Sequence, residues 1–210
     1  MSGRVVIIDY GMGNLFSVRN TFAALKVAAH IAGTPAGLKG CDRLILPGVG
    51  AFGDAMRELK KRGLVEPIRD FVRTGKPFLG ICLGMQLLME ESAEAPGVRG
   101  LGLIRGAVRR FGAGRKCPHM GWNEIEAVSG EPFFAGVPRP VYVYFCHSYY
   151  VRPRTPRVAI GTTRYGARFA SIVRSRNVYG VQFHPEKSQD TGLALLKNFL
   201  AIPLPCGGRA

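Results

Sequence analysis

Three short apolar runs limit how this chain can fold. Val5-Val6-Ile7-Ile8-Asp9, Asp42-Arg43-Leu44-Ile45-Leu46 and Pro77-Phe78-Leu79-Gly80-Ile81 lack the polar alternation of a strand with one wet face, so each is expected to be a strand buried on both sides. Each is followed by a stretch with helical spacing, at residues 15–26, at residues 54–71 with interruptions near Gly63 and Pro67, and at residues 85–90. A β-α-β-α-β-α order needs crossover connections, so the strands are expected to lie parallel with helices on the sheet faces.

From about residue 100 the texture changes to short strands separated by turns, at residues 101–108, 121–128, 141–145, 158–162 and 171–173. Residues 177–183 form a last strong strand, and Ser188 is placed to cap a closing helix with Leu193, Leu196 and Leu200 along one side. Residues 203–210 are expected to fray. The expected fold is therefore α/β: an open, mostly parallel sheet flanked by helices, with a mixed or antiparallel extension in the second half. With 210 residues, 47% of them hydrophobic, and no internal repeat or linker, residues 1–210 read as one unit.

Charge raises the first functional question. Twenty-nine lysines and arginines against 14 acids give +15, and between Glu131 and Glu186 there are eight arginines and no acid. Such a field favours anionic partners, yet residues 152–176 carry only Tyr165 and Phe169 among their arginines and match no nucleic-acid-binding module, so no nucleic-acid partner is expected. The five cysteines (Cys41, Cys82, Cys117, Cys146, Cys206) are odd in number and include no CxxC pair, which argues against a disulfide framework or a zinc ribbon. No uncharged apolar run reaches about 18 residues and the opening has no signal-peptide character, so a cytoplasmic protein without membrane association is expected.

The sharpest chemical signal is Gly80-Ile81-Cys82-Leu83-Gly84, a G-x-S-x-G pattern with cysteine in place of serine, between a buried strand and a helix. Such an elbow exposes its central side chain, and the helix start directs positive potential at the sulfur, which favours a thiolate. A second segment, Gln182-Phe183-His184-Pro185-Glu186, ends the last strong strand. Residues two apart on an extended chain project to one side, so Glu186 is expected to hold one ring nitrogen of His184 while the other faces a nucleophile. Proline fits a strand terminus, the place where ligand sites gather in parallel sheets.

A third element, Pro47-Gly48-Val49-Gly50, also follows a buried strand. Its backbone amides at Val49 and Gly50, with that of Leu83, can form an oxyanion hole, each donor of which contributes ~3 kcal/mol to a transition state. Its glycines allow the peptide to turn over, which suggests a hole completed only on assembly with a partner. Other motifs fail on inspection. Gly11-Met12-Gly13 has Phe16 where a dinucleotide fingerprint needs glycine, and Gly75-Lys76 has Asp70 where a Walker loop needs one. Cys117-Pro118-His119 and Cys146-His147 lack metal-ligand spacing and read as packing or turn residues, so neither a metal nor a cofactor is expected.

These residues resemble the class I (triad) glutamine amidotransferases over essentially the whole chain. The likeness is carried by Asp9-Tyr10-Gly11-Met12-Gly13-Asn14-Leu15, residues 47–52, residues 80–88, Pro118-His119-Met120-Gly121-Trp122-Asn123, His147-Ser148-Tyr149 and residues 180–188. It implies a flavodoxin-like fold, Cys82 as nucleophile, His184 as general acid and base, and Glu186 as the group that orients the imidazole. It also implies a glutamine substrate held near Gly50, Leu83, Gln86, Glu94, Ser148 and Tyr149.

The opening and the His-Pro-Glu-Lys-Ser ending point to the branch of that family serving histidine biosynthesis. There the ammonia released from glutamine passes to a (β/α)8-barrel cyclase subunit in a heterodimer. Asn14 and Lys187, at the same sheet edge as the site, are expected to face that partner. Three other readings remain open at this stage: a triad glutaminase of another biosynthetic pathway, a non-catalytic basic binding module, and a cysteine hydrolase of peptides or esters.

Overall fold

The first apolar run is a central strand of the parallel sheet, with both faces covered. In the computed structural model, which describes residues 3–112, 114 and 116–205, β1 (Val5–Ile8) pairs in parallel with β2 (Ala29–Ala32) and β3 (Arg43–Leu46). β4 (Phe78–Ile81) continues the sheet beside β3, and the last strand of the chain, β12 (Val178–Val181), runs parallel to β4 with Val181 opposite Ile81. This 2-1-3-4-12 order is that of a doubly wound, flavodoxin-like sheet, in which ligands gather beyond the carboxyl ends of the strands.

Beyond β12 the sheet turns antiparallel through β11 (Ala167–Ser175), β10 (Ala159–Tyr165), β7 (His119–Ala127) and β8 (Val141–His147). Off this path, β5 (Glu91–Ser92) pairs with β6 (Gly106–Arg110), which pairs with β9 (Tyr149–Pro153).

Two cores clamp the sheet, and strand alternation assigns residues to each. Val6, Ile8, Leu44, Leu46 and Phe78 face one core, shared with α3 (Phe52–Lys61), α4 (Val65–Arg73) and α5 (Leu83–Leu87). Val5, Ile7, Ile45, Leu79 and Ile81 face the other, under α1 (Leu15–Ala24) and α6 (Gln189–Ala201). A one-turn α2 (Pro35–Leu38) leads into β3. The expected α/β architecture, with its antiparallel second half, is the observed one.

Several details differ from the sequence reading. β2, β5 and β9 were not foreseen; the Ala29-His30-Ile31-Ala32 edge strand is only partly buried and has no strong apolar run. The break at Gly63 separates α3 from α4, but Pro67 breaks nothing: it lies in the first turn of α4, where no intrahelical acceptor is lost. The helix expected at residues 85–90 begins at Leu83 and ends at Leu87, and residues 101–105 are loop rather than strand. Ser188 does stand at the cap position of α6, but its hydroxyl makes no cap bond. Of the expected leucine row, Leu196 is buried and Leu200 packs partly buried against the core while Leu193 does not; the buried face of α6 carries Gly192, Leu195, Leu196 and Phe199. Of the tail expected to fray, residues 206–210 lie outside the described residues. Among the described residues no helix is long and apolar enough to cross a membrane.

Gly192 ties this packing to the end of β12. A Cβ at that position would lie 2.0 Å from the carbonyl oxygen of Pro185, the residue after His184. Alanine would gain about 1 kcal/mol in helix propensity, but the displaced backbone costs more, about 1–3 kcal/mol. Gly192→Ala is therefore expected to lower the unfolding free energy in urea by up to about 2 kcal/mol; a variant more stable than the parent would contradict this packing.

Candidate active site

Cys82 stands between the last residue of β4 and the first of α5, in a backbone conformation that side chains rarely adopt: φ 54° and ψ −108°. Such a residue stores about 1–3 kcal/mol and persists only where the surroundings over-determine it. Here its N–H donates to the Val181 carbonyl at 2.8 Å, and its own carbonyl accepts from Met85 N–H at 3.1 Å and Gln86 N–H at 3.2 Å. Gly84 allows the bend to close against β3, since a Cβ there would fall 1.8 Å from the Leu46 carbonyl oxygen.

His184 is fixed from both sides of its backbone. Its N–H donates to the Tyr144 carbonyl at 2.9 Å, and the Ser188 hydroxyl donates to its carbonyl at 2.6 Å while accepting from Tyr144 N–H at 3.0 Å. Ser188 thus clamps His184 to β8, which is why it does not cap the helix. Glu186 reaches the ring by a route other than the extended chain expected, because residues Pro185–Lys187 form a 3-10 turn. The His184 Nδ1–H donates to Glu186 Oε1 at 2.8 Å, between side chains only 7% and 4% exposed.

The other side of the ring turns toward the Cys82 side chain, and both line one cavity. Burial works to depress the His184 pKa, but the hydrogen bonds and charges of Cys82 and Glu186 outweigh it and push the value up to about 10. Sulfur, imidazole and carboxylate therefore stand in series at the carboxyl ends of β4 and β12.

Cys82 and His184, with Glu186 behind the ring, open into a cavity of about 340 Å³, also lined by Val49, Gly50, Leu83, Gln86, Glu94, Ser148, Tyr149 and Lys187. Larger hollows, of about 670 and 780 Å³, open elsewhere, but neither contains a cysteine or a histidine. Gly50 has a φ of +97° at the cavity wall, and Leu83, as the first residue of α5, has an N–H that helix geometry leaves without an intrahelical acceptor. Glu94 lies past the end of α5, on a loop that brings its Oε2 to accept from Phe52 N–H at 2.8 Å. Asn14 is not part of the cavity wall; it is exposed and caps α1, its Oδ1 accepting from Ser17 N–H at 3.2 Å.

Two features escaped the sequence. Gln182 is fully buried and donates its side-chain N–H to the Cys82 sulfur at 3.8 Å. Behind the cavity, His147 Nδ1–H donates to the Tyr149 carbonyl at 2.8 Å, which leaves its Nε2 to accept from His119 Nδ1–H at 3.0 Å. His119 Nε2 in turn accepts from Asn123 Nδ2–H at 3.1 Å, and that amide also donates to the Arg164 carbonyl at 3.0 Å. The two histidines among the residues read as packing or turn positions thus belong to a directed chain, and among the described residues no group of three or more His, Cys, Asp or Glu could hold a metal ion. In the basic stretch, Arg154, Arg164, Arg168 and Arg174 are ion-paired with Glu90, Glu126 and Glu131.

Comparison with known proteins converges on one group. Residues 6–202 match the family model described as glutamine amidotransferase class-I. The chain is 47% identical over 196 residues to the imidazole glycerol phosphate synthase subunit HisH of Symbiobacterium thermophilum, covering 93% of this chain and 92% of that one. It is 49% identical over 202 residues to the subunit of the same name from Syntrophotalea carbinolica, covering 93% and 98%. Among solved structures, a glutamine amidotransferase superposes with a TM-score of 0.75 at 22% identity over 94% of this chain and 97% of that one. PurLQS from Thermotoga maritima gives 0.76 at 18% identity, over 96% and 99%. At these identities the structural likeness speaks for the fold.

The buried imidazoles behind the cavity set an acid limit on stability. Burial depresses His119 to about 4 and His147 to about 3, from an ordinary 6.5. The unfolded chain therefore binds these protons first, and stability present above pH 6.5 is lost as pH falls toward those folded-state values. Replacing His119 by Phe, which can keep the stacking against Phe145 and Tyr165, should flatten the dependence of unfolding free energy on pH between 6 and 4 by about one proton. Urea titrations across that range check this, and parallel curves for parent and variant would refute it.

Proposed function

The chain belongs to the class I glutamine amidotransferases, and from that membership we propose that it is the glutaminase subunit of an imidazole glycerol phosphate synthase, releasing ammonia from glutamine for histidine biosynthesis. The observation that carries the chemistry is the series of Cys82, His184 and Glu186, in which Cys82 and His184 line one cavity and Glu186 holds the ring from behind.

In this reading the Cys82 thiolate attacks the side-chain carboxamide carbon of glutamine. The carbonyl oxygen takes the negative charge and is held by the amides of Leu83 and of the Val49 and Gly50 segment. His184, charged at neutral pH because of its two partners, gives its proton to the departing nitrogen. Ammonia leaves and a glutamyl thioester remains. The now neutral ring takes a proton from water, hydroxide attacks the thioester, and glutamate departs as the sulfur regains its charge. Glu186 holds the Nδ1–H side of the ring throughout, so that Nε2 does the proton transfers. Gln86, Glu94, Ser148 and Tyr149 are placed to hold the amino-acid end of the substrate. Both side-chain N–H groups of Gln86 are engaged by Tyr149 and Gln182, which leaves its Oε1 as the acceptor it offers a ligand.

We further propose that residues 1–210 act as one cytoplasmic unit docked on a (β/α)8-barrel cyclase subunit. Free ammonia would be protonated in bulk water, so the cavity mouth should be covered by the consumer of its product. The surface there fits a protein partner: Val49 and Phe16 are exposed, and Trp122, with a ring 6.2 Å from Tyr144, leads to Lys187, whose ammonium lies 5.6 Å above the Tyr144 ring at the cavity wall. The segment at residues 47–50, with a glycine already at positive φ, would complete its oxyanion hole in the docked state.

Glutamine hydrolysis measured with and without the cyclase partner tests this reading. The assembled protein is expected to turn over at least ~10-fold faster than the lone chain, and Cys82→Ala to lose at least ~10³-fold of the assembled rate while still binding glutamine. Cys82→Ala with normal turnover would overturn the assignment. Lys187→Glu reverses the charge at the mouth and is expected to weaken partner binding by about tenfold; unchanged affinity and unchanged coupled activity would remove Lys187 from the interface.

A further inference from the structure

Gln182 stands beside Cys82 because β4 and β12 pair in parallel with Ile81 opposite Val181, so the next residue of each strand meets the other. Its carboxamide has one possible orientation. Nε2 donates to the Cys82 sulfur at 3.8 Å, and Oε1 accepts from Gln86 Nε2 at 3.2 Å. Turned over, Gln182 would aim an oxygen at the sulfur and a donor at another donor. Gln86 cannot turn either, because its second N–H goes to the Tyr149 carbonyl at 3.0 Å, the same oxygen that receives His147 Nδ1–H. The chain of imidazoles ending at Asn123 locks that carbonyl in place. A run of fixed donors and acceptors across the interior therefore delivers one N–H to the sulfur.

We infer that Gln182 is a further catalytic residue, whose side-chain N–H holds the Cys82 sulfur as the anionic nucleophile in front of His184. The inference rests on the reading of Cys82 as the nucleophile of a glutaminase. The remaining polar neighbour of the sulfur is the Cys146 carbonyl oxygen at 4.0 Å, an acceptor that favours the protonated thiol. An N–H aimed at sulfur does the opposite, since hydrogen bonds to an ion are about twice as strong as neutral ones. Gln182 lies at 0% exposure, where water cannot substitute for it. The titratable groups facing the sulfur or its cavity are His184 with Glu186 behind it, His147, Cys146, Tyr149, Glu94, Lys187 and, from the β1 side, Tyr10. A change at Gln182 leaves all of them in place.

The test compares the full-length parent with Gln182→Met, following the rate at which iodoacetamide alkylates Cys82 from pH 5 to 10 by mass spectrometry of the Cys82 peptide. With the donor gone, the pH of half-maximal rate is expected to move up by about one unit. Alkylation would then be about tenfold slower at the acid end and equal at the alkaline plateau. Glutaminase kcat with the synthase partner is expected to fall about tenfold with KM within about twofold, the signature of an interaction used by the nucleophile rather than by substrate binding. Gln182→Glu keeps the volume and replaces the donor by an acceptor, so its half-maximal pH should move further; it carries the test if the methionine variant does not fold. A folded variant whose alkylation profile superposes on that of the parent overturns the inference. A parent chain that hydrolyses no glutamine with its partner would instead overturn the glutaminase reading, while the alkylation profile still decides the role of Gln182.

Discussion

The pairing of β4 with β12 is the constraint on which the rest of the molecule turns. Parallel neighbours in a sheet lie about 4.8 Å apart, and with Ile81 opposite Val181 the chain must bring residues a hundred positions apart in sequence to one spot. Slipping either strand by one residue would exchange that strand's two faces. That is prevented by two cores at once, since Phe78 belongs to one while Leu79, Ile81, Tyr179 and Val181 belong to the other. Stability and chemistry are therefore specified by the same ladder: the apolar residues within it choose the register, and the register chooses which polar residues emerge together at its end.

Within that site, one physical effect has opposite outcomes according to its neighbours. Burial lowers the pKa of His119 and, with repulsion from His119 and His184 adding to it, that of His147; their partners are carbonyl, amide and imidazole, none of them a full negative charge. His184 is similarly removed from water, yet holds its proton more tightly because a carboxylate and a sulfur face it. The protein thus keeps neutral rings where a fixed direction of hydrogen bonding is needed and a charged ring where the proposed mechanism delivers a proton. The cost of desolvation is common to all three.

How much of this could be read from the sequence follows from the kind of signal each part leaves. β1, β3, β4 and β12 were legible because burial on both faces demands unbroken apolar residues. β2 was not, because an edge strand with alanines at both ends needs none. Pro67 misled as a break because its meaning depends on where the helix starts. In the site, Cys82, His184 and Glu186 announced themselves by glycine and proline spacing that survives without any knowledge of the fold. Gln86, Glu94, Ser148 and Tyr149 were named through family resemblance, and the structure places all four on one cavity wall. Gln182 and Ser188 lay inside the quoted segments, yet their partners, a sulfur across the ladder and a strand 44 residues earlier, are spatial facts that no local pattern carries.

The backbone bend at Cys82 has a consequence for anyone who would improve this protein. Glycine is the residue that fits such dihedral angles without penalty, so the substitution that would relieve the molecule most directly at this position is one that deletes its sulfur. Selection for thermal robustness and selection for turnover pull on that residue in opposing directions, and the tension cannot be resolved locally. Gains in robustness must come from elsewhere in the molecule, leaving the elbow as a permanent spring.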